Sequence, residues 1–354
     1  MLNKEEIKAL PTWCDRLREA ALPVYIYGMG SGCEKVLELF GQKGISCSGI
    51  IVSDDHVSDK LFHGFRLRAL SEAENSGENF SVACGFGTDI PEVMARIEAL
   101  AARHTLVFPD TAVAGGGSFE KDKLLERYDD MMKVYSLLCD EVSRRVFYNV
   151  IRFKISGDIS YLKEYTDPDE PFESILNLGM DEIYCDLGAY DGDTVAEFLA
   201  HTGGCYRQIY AVEPARKNFA KLLRSCQQFE RITLINAAVS DRDGIGHFST
   251  GAGRQQAVTQ SGTPVSLRSL DSILAGGECS YIKYDVEGED AKALLGSRET
   301  IVRYSPKIRT GIYHRPYDII DIPLLLHGIK PDYKFYMRRR RYYPAWDTEL
   351  FAVP

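Results

Sequence analysis

Hydrophobic positions along the chain follow two rhythms. Short apolar runs of strand length alternate with stretches in which apolar residues recur every three or four positions. After a lead-in helical pattern over 1–22, the first apolar run is Val24–Tyr27. It leads into Gly28-Met29-Gly30-Ser31-Gly32-Cys33 and a helical stretch marked by Val36, Leu37, Leu39 and Phe40. A second run over 45–52 ends at Ser53-Asp54-Asp55, and runs at 80–84 and 105–108 continue the alternation. Residues 111–118 are small and glycine-rich, a linker by composition. From 120 to 153, Met131, Val134, Leu138, Val142, Val146, Val150 and Phe153 fall on one face, which predicts a helix bridging two halves.

Beyond the break at Asp167 to Pro171, strands are predicted at Ile183–Leu187, Gln208–Val212, 231–235, 245–249, Tyr281–Tyr284, 307–312, 333–337 and 350–353. Helical runs follow most of them, including 319–326, and residues 250–264, rich in Gly, Gln, Ser and Thr, predict a mobile loop. The alternation predicts an α/β fold with parallel sheets. A length of 354 residues suits two domains. The expected division is a Rossmann-like N-terminal domain over 1–110, a linker and helical bridge over 111–180, and a larger α/β domain over 181–354.

Composition narrows the function classes. A net charge of −9 disfavours a nucleic-acid footprint. The nine cysteines are scattered and none forms Cys-x-x-Cys, so they read as free thiols in a reducing compartment. With no apolar leader at the N-terminus and no membrane-length apolar run, the expected location is cytoplasmic. The first glycine turn has a carboxylate about 20 residues on, as a dinucleotide site would, but Cys33 stands at the third glycine position. That half reads as a packing or homo-oligomerising module, with a nucleotide site as the alternative.

Candidate chemistry gathers where strands end, because ligands in open parallel sheets bind beyond the carboxyl ends. Asp186 is followed by Gly188, Ala189, Tyr190, Asp191, Gly192, Asp193 and Thr194, a glycine turn opening a helix. An acidic residue there is wrong for phosphate and suits a ligand with a positive centre and an amino group, such as S-adenosyl-L-methionine (SAM). Glu213 and Pro214 end the second strand of this half, where a carboxylate would accept ribose hydroxyls. Asn236 and Ala237 end the third and could meet an adenine ring. Asp285, Glu287 and His314 end the next two and are the candidate bases.

This ordered series resembles the FkbM family of SAM-dependent methyltransferases. The matching segments are Asp186 to Thr194, Val212-Glu213-Pro214, Asn236 to Val239, Asp285 to Glu289, Tyr313 to Pro316 and Ile329 to Tyr336. The resemblance implies a class I (Rossmann-like) methyltransferase domain over 181–354, SAM as cofactor, and O-methylation of a hydroxyl, often on a sugar. Where the family tail carries a histidine, this chain runs into Arg338 to Arg341. Residues 1–110 are similar, more weakly, to small Rossmann-like domains attached to sugar-modifying enzymes.

The expected activity is methyl transfer from SAM to a small-molecule acceptor, with an anionic sugar or a nucleotide sugar as candidate. The four arginines suit a phosphate clamp beside Tyr342 and Tyr343, or else a solvated turn. His314 has the ordinary pKa nearest neutrality among the candidate bases. No metal framework is expected, although Asp285, Glu287 and His314 offer ligand types that suit several cations. Two rival readings stand beside this one. One is a module that binds SAM without turnover. The other is a nucleotide-sugar oxidoreductase working from the N-terminal glycine turn, against which Cys33 and the lack of a Tyr-x-x-x-Lys pair speak.

Overall fold

The computed structural model describes residues 3–248, 258–259 and 263–354. The first half contributes strands β1 (Val24–Tyr27), β2 (Gly49–Val52), β3 (Leu67–Ala69), β4 (Ser81–Cys84) and β5 (Leu106–Val107). They form a parallel sheet in the order β3-β2-β1-β4-β5. Ile26, Ile50, Ile51, Val82 and Ala83 are all fully buried, as strands covered on both faces require. The short β3 was absent from the sequence reading, because a three-residue strand carries too little periodicity to register.

The second half begins with β6 (Ile183–Leu187), β7 (Gln208–Val212) and β8 (Ile232–Ile235). Four short strands then form a small sheet of their own. They are β9 (Ala238–Val239), β10 (Gly244–Phe248), β11 (Val258–Thr259) and β12 (Thr263–Arg268), in the order β11-β10-β12-β9. The loop expected over 250–264 falls largely outside the described residues, and the part that is described lies in β11 and β12. The main sheet resumes with β13 (Tyr281–Tyr284), β14 (Lys307–Gly311), β15 (Lys334–Arg339) and β16 (Thr348–Val353). Its order is β15-β16-β14-β13-β6-β7-β8, with only β16 antiparallel to its neighbours. This is the mixed sheet of a class I, Rossmann-like methyltransferase fold, closed by a reversed strand at one side.

The single helix expected over 120–153 is three helices, Lys121–Glu126, Tyr128–Leu137 and Glu141–Ser156. Most of the expected apolar face is buried, but Val142 is exposed, Leu138 is extended and the Asp140 side chain accepts the Ser143 N–H at 2.7 Å. That cap starts a new helix where periodicity alone would continue the old one. The last helix ties the halves together. Its Ser143 hydroxyl accepts the Met337 N–H of β15 at 2.9 Å. At its other end Gly157 adopts φ +64° against Phe108, just past β5, and accepts the Phe108 N–H at 2.9 Å.

The carboxyl edges of the two large sheets therefore face each other. Thr88, beyond β4, and Tyr343, beyond β15, exchange two backbone hydrogen bonds of 2.7 and 2.9 Å. Gly87 is required there, since a Cβ would lie 2.4 Å from the Trp346 ring. Among the described residues, no helix is long and apolar enough to cross a membrane.

Candidate functional site

The turn after β6 is shaped by its glycines. Gly188 has φ +89°, and a Cβ on it would lie 2.0 Å from the Asp285 carbonyl oxygen. Gly192 has φ +96° and backs onto the Ser225 hydroxyl. Tyr190, between them, is also left-handed at φ +46°. The Gly188 and Ala189 N–H groups donate to Val212 O of β7, which pins the turn to the next strand. Asp193–His201 then forms a helix whose first turn has no side-chain cap from Gly192. Its N–H groups and positive dipole end lie at the carboxyl edge of the sheet.

Asp186 is fully buried beneath this turn. Its Oδ2 accepts the Thr194 hydroxyl at 2.5 Å. Its Oδ1 lies 3.3 Å from Lys283 Nζ but receives no hydrogen bond among the described residues. Lys283, itself buried, donates to Gly188 O at 2.9 Å and sits 3.8 Å from Asp285. Burial works against its charge, yet Asp186 and Asp285 outweigh burial and hold its pKa above the ordinary lysine value. One ammonium thus joins the turn to both flanking carboxylates. Lys283 was missed in the sequence, although a lysine inside the apolar run Tyr281–Tyr284 was a readable signal.

Glu213 is buried and accepts the Tyr190 N–H at 3.1 Å and the Ala215 N–H at 2.8 Å. Burial pushes its carboxyl pKa up, and these donors only partly offset that. Asn236 is exposed and donates to the carbonyls of Glu213 and Pro214 at 2.8 and 3.1 Å. Ala237 beside it is buried. The structure therefore brings the Asp186 turn, Glu213-Pro214 and Asn236 into one hydrogen-bonded rim. An orphaned acceptor, a glycine cradle that no Cβ would leave open, and an uncapped helix start fit a ligand carrying an amino group and a ribose.

Asp285, Glu287 and His314 stand at the neighbouring strand ends. The Asp285 side chain is 41% exposed, whereas that of His314 is 1% exposed. His314 Nε2 lies 3.1 Å from Asp285 Oδ1, and its Nδ1 lies 3.0 Å from Asp290 Oδ2. The first contact is close but poorly aligned for a hydrogen bond, and the second is one. Burial alone would strip His314 of its proton. Asp290 and Asp285 prevail and hold its pKa well above the ordinary histidine value. Asp285 is in turn held well below the usual carboxylate range, because Lys283 and His314 outweigh its own desolvation. The shift favours the imidazolium form, in which the ring holds charge beside Asp285 and has no lone pair to offer as a base. Glu287, half-buried, is left-handed at φ +52°, as is Gly288 after it at φ +89°.

Asp290 carried no sequence signal beyond opening a helix. It accepts the Gly288 N–H at 3.2 Å as well as facing His314, so it braces the turn and the imidazolium together. Asp318 completes a buried group. Ligand-type atoms of Asp290, His314 and Asp318 lie within 4.8 Å of one another, rather than those of Asp285, Glu287 and His314. Burial and then Asp290 push the Asp318 carboxyl up to about 7.

The arginine run ends β15 on the same edge as these groups, because β15 is antiparallel to β16 and β16 to β14. Its first three members are nonetheless spent on the fold. Arg338 is 4% exposed and bonds Asp140 at 2.7 Å and Glu170 at 2.8 Å. Arg339 is 2% exposed and donates to the carbonyls of Leu162, Glu164, Arg340 and Tyr342. Arg340 pairs with Glu197 at 2.7 Å. Only Arg341 is exposed, with its guanidinium over the Tyr165 ring. Neither the phosphate clamp nor a wholly solvated turn describes the run, because Arg338 and Arg339 are a buried strand end flanked by carboxylates and carbonyls while Arg341 is exposed.

At the N-terminal glycine turn the Phe86 ring lies against Gly28, where a Cβ would be 2.5 Å from it. A Cβ on Gly32 would lie 2.1 Å from Gly85 O, while Gly30, at φ +111°, faces open space. Cys33, at the third glycine position, is fully buried in the adjoining core.

Comparison with known proteins agrees with this geometry. Residues 186–335 match the family model described as the methyltransferase FkbM domain. Among solved structures, a methyltransferase FkbM from Methylobacillus flagellatus KT superposes with a TM-score of 0.72 at 20% identity, covering 99% of this chain and 92% of that one. Partial likenesses include an rRNA methylase from Streptococcus thermophilus (14% identity, TM-score 0.35, covering 53% of this chain and 96% of that one). Another is Aeropyrum pernix fibrillarin with bound S-adenosyl-L-methionine (13% identity, TM-score 0.33, 50% and 69%). No curated protein matches the chain.

Proposed function

We propose that this site, in a chain whose residues 186–335 match the FkbM methyltransferase domain, binds SAM and methylates a hydroxyl of a small-molecule acceptor. The observation that carries this reading is the buried Asp186 with an unbonded Oδ1 beneath a glycine turn, next to Glu213. When bound, SAM supplies an electrophilic methyl carbon on a sulfonium centre. The turn from Gly188 to Thr194 and Asp186 would hold its amino-acid end, Glu213 its ribose, and Asn236 with Ala237 its base. Asp285, two-fifths exposed, accepts the hydrogen bond of the acceptor hydroxyl and orients its lone pair. A carboxylate of low pKa is a weak base towards a free alcohol. It suffices once the oxygen begins to bond carbon, because the oxygen then turns positive and its proton becomes strongly acidic. Lys283 and the His314 imidazolium keep Asp285 ionised and fixed in place.

The test is calorimetry with SAM on the wild type and Glu213→Gln, together with a labelled-methyl transfer screen over glycosides. Glu213→Gln exchanges an oxygen acceptor for an amide NH2 donor, and affinity should fall by roughly 10-fold or more. Equal SAM affinity in the two proteins, or no SAM binding by the wild type, would refute the assignment.

A further inference from the structure

Lys283 stands between the cofactor side and the acceptor side of the proposed site. Its ammonium donates to Gly188 O at 2.9 Å, with Asp186 Oδ1 at 3.3 Å on one side and Asp285 Oδ2 at 3.8 Å on the other. Of the three donors an ammonium carries, the Gly188 bond takes one. At 3.8 Å Asp285 is beyond hydrogen-bond reach, and Asp186 Oδ1 receives no bond among the described residues. The other oxygen of Asp186 is taken by the Thr194 hydroxyl at 2.5 Å, so Oδ1 is the atom left for a ligand. The Lys283 side chain is 5% exposed and that of Asp186 0%, so water screens little of what passes between them.

We propose that Lys283 couples the two sides: with a ligand ammonium on Asp186, Lys283 moves across to Asp285, so the acceptor side is completed only after the cofactor is in place. The proposal rests on the methyl-transfer reading and adds to it a positioning residue and an order of binding. The argument is one of charge. An amino group seated on Oδ1 would set two ammoniums on one buried carboxylate. Their repulsion is strong where water is excluded, and the flexible lysine end is free to yield to it. Among the described residues, Asp285 is the other carboxylate that forms an ion pair with Lys283. Closing the 3.8 Å gap to an ordinary N–H···O bond takes a shift of about 1 Å, which a four-carbon side chain can make while Gly188 O remains its anchor. His314 already faces the other oxygen of Asp285, with Nε2 3.1 Å from Oδ1. With Lys283 on Oδ2, both oxygens are braced, and the carboxylate that meets the acceptor hydroxyl is fixed in direction. Linkage makes the coupling reciprocal. If an amino group on Asp186 drives Lys283 towards Asp285, the Asp285 charge must in turn help that amino group to bind.

The test is calorimetry on the full chain with S-adenosylhomocysteine. This probe keeps the amino group of SAM and lacks the sulfonium charge, so a direct pull of Asp285 on a sulfonium does not enter. Wild type, Asp285→Asn, Lys283→Met and the double variant complete a cycle. Asp285→Asn should weaken the probe roughly 5–10-fold when Lys283 is present, and less than about 2-fold on top of Lys283→Met. A merely structural role for Asp285 would lower affinity alike in both backgrounds. A crystal structure of the wild type with the probe decides the matter should Lys283→Met fail to fold, since Lys283 Nζ should then lie nearer to Asp285 than to Asp186. Unchanged affinity in Asp285→Asn, an equal loss in both backgrounds, or Lys283 still nearer to Asp186 in the complex overturns the proposal. Any of these with tight probe binding by the wild type removes the coupling alone and leaves the SAM assignment standing. No probe binding by the wild type sinks both.

Discussion

Replacing His314 with glutamine tests the buried charge network at its centre. His314 is 1% exposed and lies 3.0 Å from Asp290 and 3.1 Å from Asp285. Removing one partner of a buried ion pair typically costs about 3–5 kcal/mol. That cost applies while His314 is protonated, so it should be read at about pH 6. The sign of the pH dependence follows from the direction of the shift. The folded pKa of His314 is raised above its unfolded value, so the folded state holds a proton that the unfolded state has lost. Its stabilisation is complete below the unfolded value of about 6.5 and is lost as pH rises through the folded pKa. In that window the wild type should lose about 1.4 kcal/mol per pH unit relative to the variant. Asp318 and Asp347 are raised to about 7 and about 6, so their own losses run through neutrality and are complete only by about pH 8. Because the Asp318 carboxyl responds to His314, both proteins should carry Asp318→Asn, whose amide oxygen still accepts the Arg315 N–H. Urea midpoints from pH 6 to 9 give the comparison. Parallel pH profiles for the two proteins would refute a protonated His314 and return it to the list of candidate bases.

Two further outcomes follow from the same geometry. Gly188→Ala places a Cβ 2.0 Å from a backbone carbonyl at a left-handed φ, so it should abolish SAM binding by calorimetry, and retained affinity would show that the turn adapts. Arg338→Ala strands Asp140 and Glu170 and should lower the thermal midpoint by several degrees, while Arg341→Ala, exposed, should leave it within about 1 °C; equal effects would contradict the division of the run.

The chain's hydrophobic pattern by itself determined most of the architecture. The apolar runs at β1, β6, β7 and β13 and the helical stretches between them are long enough for periodicity to register, and parallel strands buried on both faces leave few alternatives. The order of strand-end residues, from Asp186 through Glu213 and Asn236 to Asp285 and His314, was legible for a related reason. A parallel sheet carries every strand end to one edge, so linear order becomes spatial proximity.

Tertiary structure decided what those residues are. Periodicity could not see that Asp140 restarts a helix, because a cap is one hydrogen bond and the apolar spacing in the sequence runs on past it. It could not see that Arg338 and Arg339 point into the protein, because the carboxylates of Asp140 and Glu170 and the carbonyls of Leu162 and Glu164 lie about 170–200 residues away in sequence. His314 has a base's ordinary pKa in sequence, and only the approach of Asp290 and Asp285 to a buried ring raises it. The meeting of the two carboxyl edges, with Lys154 and Asp110 between them, is a property of how the halves dock. Local sequence holds no record of a contact between surfaces that only the folded chain brings together.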